Sequence, residues 1–289
     1  MTTPLPTPLP TPLPAPTSGV APTDSRRQVV VLVSAVLGLA GALVGSGGAG
    51  GTPIPNASGG ALAADATLIA PGGPAFAIWT PIYVGLLGYA LWQALPPQKT
   101  DARQRQLGYP VALSLLLNAA WILSVQFDLL ALSVPVIVLL LVVLVHAFRI
   151  TLASRPTNRL EAVLADGTLG LYLGWVCVAT AANVSAVLVA AGFRGWGVSA
   201  GPWAVVVLAV AGAVGVFLAA YSGGRVTPSL ALGWGLGWVA VARFTGPLFS
   251  TPAAVTAAVM VAVIGVVTVV LRIRGRRLRQ AFALSPAQH

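Results

Sequence analysis

Apolar residues gather into eight runs, near 29–44, 75–95, 107–126, 131–149, 165–191, 203–221, 228–244 and 253–272. Most approach the roughly 20 residues an α-helix needs to cross a hydrocarbon core. The pattern predicts an all-α polytopic bundle with a tight turn at Asp128 and its shortest span at 228–244. The fifth run is the least ordinary. Laid out at 3.6 residues per turn, Tyr172, Trp175, Val176, Ala179 and Asn183 share one face. An unpaired amide at bilayer depth costs roughly 2–7 kcal/mol, so that face must look inward, at other helices or at a polar ligand. Gly170 and Gly174, like Gly41 and Gly45 in the first run, form small-xxx-small pairs that admit a close neighbour.

Composition agrees: 57% of the 289 residues are hydrophobic, 8% are charged and the mean hydropathy is +0.88. A net charge of +10 invites a nucleic-acid partner, but the basic residues stand singly or in small groups at the ends of apolar runs. That is where topology signals sit. With eight spans, every one of the 16 Lys and Arg residues except Arg194 and Arg243 falls on the side of the N-terminus. The positive-inside rule then puts both termini in the cytoplasm of a multi-pass plasma-membrane protein. The tail arginines 272–279 also suit contact with anionic lipid.

Little in the chain suggests covalent chemistry. The single cysteine, Cys177, reads as a small core residue, and His146 sits alone near a span end. No metal spacing, nucleotide-binding loop or Ser/His/Asp ordering is visible, so no metal site and no catalytic residue are assigned. Glu161 and Asp166 fit the cap of the fifth span. No membrane-buried acid pair is evident, which argues against a proton-coupled pump.

Four segments follow. Residues 1–27 form a Pro-rich cytoplasmic tail expected to be disordered, 28–192 a five-helix bundle, 193–273 three additional spans and 274–289 a basic cytoplasmic tail. Residues 46–74, rich in Gly, Pro and Ala, read as a long flexible loop. One internal echo stands out: Leu169-Gly170-x-x-Leu173-Gly174-Trp175-Val176 returns as Leu232-Gly233-x-x-Leu236-Gly237-Trp238-Val239. Duplication and convergence both account for it, and the polar face of the first copy is not repeated.

Three stretches resemble the translocator-protein family, the tryptophan-rich sensory proteins (TspO/MBR). They are Trp79-Thr80-x-x-Tyr83, Leu117-Asn118-x-x-Trp121, and Tyr172-x-x-Trp175-Val176-x-x-Ala179-x-x-x-Asn183, on the second, third and fifth spans. The motifs cover about residues 28–191, and the last three spans look like those of a longer branch of the family. The resemblance implies a five-helix bundle with a ligand pocket bounded by the first loop. Trp79, Tyr83, Asn118, Trp121, Tyr172, Trp175, Ala179 and Asn183 would line or buttress it. It further implies a lipophilic aromatic ligand such as a porphyrin or haem-type tetrapyrrole, sensed or translocated, and a homodimer among membrane lipids. The chain departs from the family in having no Trp in residues 46–74 and no Tyr-Arg pair after Asn183. A loose sterol-type pattern, Leu218-x-x-Tyr221-x-x-x-Arg225, occurs elsewhere.

The three Trp rings offer stacking walls, and Asn118, Asn183 and the Tyr83 hydroxyl offer polar handles. Interhelical hydrogen bonding is the competing account of Trp175 and Asn183. Trp92, Trp196 and Trp203 read as interface anchors. A secondary transporter of a small apolar solute, a porphyrin-degrading enzyme and a plain membrane scaffold are the other functional readings.

Overall fold

The computed structural model describes residues 21–284, with side chains to 275; residues 1–20, which carry the Pro-rich repeat, and 285–289 lie outside the described part. Eight long helices make up the fold, and the described residues contain no strand. They are α1 (Pro22–Gly45), α2 (Trp79–Gln93), α3 (Ala102–Gln126), α4 (Leu130–Ala153), α5 (Arg159–Ala190), α6 (Ala200–Tyr221), α7 (Val226–Thr245) and α8 (Thr251–Leu284).

Local chemistry sets several helix starts. In α1, Pro22 occupies a first-turn position and Asp24 accepts from the Ala21 amide at 3.0 Å, so the helix begins before Arg26-Arg27 rather than after them. Asp101 caps α3 by accepting from Gln104 N at 2.9 Å. Asn158, not Glu161 or Asp166, caps α5 by accepting from Glu161 N at 2.8 Å. The expected turn between α3 and α4 closes at Asp128, whose φ of 57° is left-handed.

The first five helices close a ring: α1 borders α2 and α3, α3 borders α4, α4 borders α5, and α5 returns to α2. Gly41 and Gly45 permit the α1–α3 seam, where an added Cβ would come within 3.0 Å of Ala119 and 2.8 Å of Ile122. The last three helices pack on one another, and α7 lies along α5. Gly170 faces Thr227, Gly174 faces Pro228, and Val178 faces Gly235, so α5 and α7 run parallel.

Seven helical segments are long and apolar enough to cross a membrane, which makes this a multi-pass membrane protein. The exception is α7, the segment expected as the shortest span. It packs against α5, α6 and α8, and its C-terminal half meets the segment after α1, so much of its surface faces protein.

Residues 46–78 differ from the expected flexible loop. They fold into short 3-10 turns and are tied to α3: Ser58 Oγ donates to Val125 O at 2.8 Å, and Thr52 N to Gln126 Oε1 at 3.0 Å. They are also tied to α7. Gly72 N donates to Trp238 O at 3.2 Å, Trp234 Nε1 to Ala75 O at 2.9 Å, and Arg243 Nη1 to Thr67 O at 3.0 Å. Arg243, assigned by charge counting to the outer side, is buried. Backbone carbonyls in an irregular segment need donors, and α7 supplies them.

Trp92, expected as an interface anchor, is buried beside Tyr89 with ring centroids 6.3 Å apart. Trp196 does stand out from the α5–α6 connection, 84% exposed, in an aromatic trio with Phe193 and Trp203. Of the sterol-type pattern, Leu218 is buried. Arg225 donates to the Thr151 carbonyl at 2.6 Å.

Candidate functional site

The WTxxY spacing puts Trp79 and Tyr83 on one face of α2, with ring centroids 5.5 Å apart. The same indole meets two rings of α5 edge-on, Tyr172 at 5.8 Å and Trp175 at 6.2 Å. Phe76, in the turn before α2, closes on Trp175 at 5.7 Å. Such edge-to-face pairs suit the ring quadrupoles and hold the indoles in place.

Polar handles accompany the rings. Asn118 Nδ2 donates to the Tyr83 hydroxyl at 2.5 Å, and the Tyr172 hydroxyl donates to Ser114 O at 3.2 Å. Trp121 Nε1 donates to Asn183 Oδ1 at 3.2 Å. Asn183 Nδ2 in turn donates to Ser133 Oγ at 2.9 Å, and that hydroxyl donates to Leu130 O at 2.6 Å. Asn183 thus joins α3, α4 and α5, and both polar atoms of its amide have interhelical partners. Trp175 differs: it is 1% exposed, and its Nε1–H has no hydrogen-bond partner. A buried donor without an acceptor costs about 1–3 kcal/mol.

Two small cavities adjoin these groups, with Phe76, Trp121, Trp175 and Ala179 in both walls. One, of about 40 Å³, extends to Asn183 and lies under Leu62, Thr67 and Pro71 of the covering segment. The other, of about 20 Å³, reaches into the ring past Trp79 and Asn118 to Ile137 and Leu140 of α4. Six of the eight expected residues therefore line a cavity; Tyr83 and Tyr172 stand behind Trp79 and buttress it. Together the cavities have room for only a few waters at about 10–15 Å³ each.

The motifs did not identify Phe76, Thr67 or the α4 residues as part of the site. Phe76 had a signal, an aromatic side chain three residues before Trp79 in a Gly/Pro turn. Thr67, Ile137 and Leu140 had none.

A second polar cluster ties the opposite end together. Arg103 of α3 donates through Nη1 to Glu161 Oε1 at 2.6 Å, through Nη2 to Asp166, and through Nε to Ser154 Oγ at 2.8 Å. Arg225, in the α6–α7 turn, reaches Asp166 at 3.4 Å. Burial draws its guanidinium below its ordinary pKa, with Asp166 pulling the other way. Buried Glu161 and partly buried Asp166 are therefore held between two arginines. Their charges are matched, which suits a structural clamp. No group of three or more His, Cys, Asp or Glu among the described residues is arranged to hold a metal ion.

A family model described as "TSPO-like protein" matches residues 30–271. The match continues past the motif-bearing helices through α6 and α7 into α8, further than residue 191. No curated protein matches the chain, and no solved structure does.

Proposed function

The chain belongs to the TSPO-like family, and from that premise we propose that it binds a flat lipophilic aromatic ligand of the tetrapyrrole class in the space between Trp79, Trp121 and Trp175, as a step in sensing or moving that ligand. The observation that carries this reading is the unpaired, buried Nε1–H of Trp175 in the wall shared by both cavities. Aromatic walls supply stacking area, and a single free donor orients an acceptor on the ligand. Drug-sized ligands occupy about 300–1,000 Å³, far more than the cavities provide, so binding requires the covering segment 54–76 to move. The links of that segment to α7 are hydrogen bonds, which can exchange.

Quenching of tryptophan fluorescence by protoporphyrin IX in detergent tests the reading. The parent should show saturable quenching in the micromolar range. Trp175→Phe keeps a ring and removes the donor, and should weaken binding about tenfold, the worth of one hydrogen bond near 1.4 kcal/mol. Ala179→Leu fills the shared wall without removing any hydrogen bond, and should abolish saturable quenching while leaving thermal unfolding nearly unchanged. Equal quenching in all three proteins would assign it to partitioning into the micelle and sink the reading.

A further inference from the structure

Arg243 is the one buried arginine of the described residues with no carboxylate within 4 Å. Arg27 lies 3.8 Å from Asp24, Arg103 pairs with Glu161 and Asp166, and Arg225 pairs with Asp166. Arg243 is 1% exposed and is held only by backbone, Nη1 donating to Thr67 O at 3.0 Å and Nη2 to Ala64 O at 2.6 Å. Its Nε–H has no partner. A guanidinium cannot shed its charge in a protein, and a buried charge with no directly paired carboxylate, only the exposed Asp65 farther off, is a costly arrangement for a fold to carry.

The place of this charge matters. Thr67, whose carbonyl Arg243 holds, lines the larger cavity, and its side-chain Oγ1 is buried and unpartnered as well. Trp175, the third unpaired group at this end, lines the same cavity. The free groups are therefore two N–H donors and one hydroxyl, with a positive charge behind them.

We propose that Arg243, with the Thr67 hydroxyl, recognises an anionic group, a carboxylate or a phosphate, carried on the apolar body of the ligand. The inference rests on the cavity reading above and adds the ligand's charge class. Because the cavity must enlarge by displacing the segment that Arg243 holds, a ligand that enters brings its anion to the guanidinium as the carbonyls of Ala64 and Thr67 withdraw. A hydrogen bond between opposite charges replaces the guanidinium's bonds to neutral carbonyls, and the buried charge gains a directly paired counter-ion.

The test compares protoporphyrin IX, a diacid, with its uncharged dimethyl ester on the parent, Arg243→Lys and Arg243→Gln, each checked by thermal unfolding. Ratios between variants cancel micelle partitioning. The parent should bind the diacid at least about tenfold more tightly than Arg243→Gln does, Arg243→Lys should keep most of that preference, and the ester should bind all three alike. Added phosphatidylglycerol separates the two sources of anion: competition with the diacid assigns the natural group to lipid phosphate, and no competition assigns it to a ligand carboxylate. If Arg243→Gln leaves diacid binding unchanged, or loses diacid and ester equally, Arg243 is a latch for the covering segment and the inference is overturned while the cavity reading stands. If neither macrocycle binds the parent saturably, both fall.

Discussion

Replacing Arg103 by alanine should cost about 3–5 kcal/mol of stability, because it leaves two acids without their shared cation inside the protein. Glu161 is 1% exposed and is also gripped by Gln104 Nε2 at 2.9 Å and by the Thr157 amide and hydroxyl at 2.7 and 2.6 Å. Those donors are neutral. Without Arg103, Asp166 keeps only the longer contact from Arg225. Arg103→Lys should recover only part of the loss, since one ammonium cannot fork to two carboxylates and Ser154 at once. The triple variant combining Arg103→Met, Glu161→Gln and Asp166→Asn should be milder than Arg103→Ala alone, because it removes the acids' charges together with their cation. Thermal unfolding in detergent measures all three. A cost under about 0.5 kcal/mol for Arg103→Ala would mean that water already reaches the cluster, and that it is no clamp.

The same cluster shows where the sequence stops being readable. The lengths of the apolar runs located every long helix, and helical spacing put Tyr172, Trp175, Ala179 and Asn183 on one inward face, because an amide in an apolar run has few other places to go. Trp79, Tyr83, Asn118 and Trp121 were legible as site residues only through the family resemblance. Glu161 and Asp166 are five apart, which on an α-helix separates their directions by about 140°. The segment Ala162–Gly167 is π-helical, and its wider turn brings both acids to one side, toward Arg103. No single-sequence pattern announces a π turn. The burial of Arg243 is illegible for a related reason: charge counting assigns a residue to a side of the membrane, and carries no information about carbonyls 176 and 179 positions away that need donors. Asn183 shows the opposite difficulty. Its inward direction was legible, but its partners Trp121 and Ser133 lie on other helices, so pocket and packing could be told apart only in three dimensions.

The repeated Leu-Gly-x-x-Leu-Gly-Trp-Val phrase yields the second large effect, since two glycines that look alike in sequence should respond in different ways. A Cβ at Gly174 would overlap the carbonyl oxygen of Pro228 and lie 2.9 Å from its carbon. Both are backbone atoms of α7, and no side-chain rotation relieves them. Gly174→Ala must push α7 off α5, and we expect a loss of about 2–3 kcal/mol. At Gly237, the matching position in the second copy, a Cβ meets nothing within 4 Å. Gly237→Ala should then be neutral or stabilising by up to about 1 kcal/mol, through helix propensity alone. The consequence extends to the cavity, because α7 holds the covering segment through Trp234, Trp238 and Arg243. Displacing α7 loosens three of the contacts that close the site. Limited proteolysis within residues 61–71 should therefore quicken in Gly174→Ala and stay unchanged in Gly237→Ala. Equal cleavage in the two variants would show that the cover is held by α3 and its own turns, and that the last three helices have no part in closing the cavity.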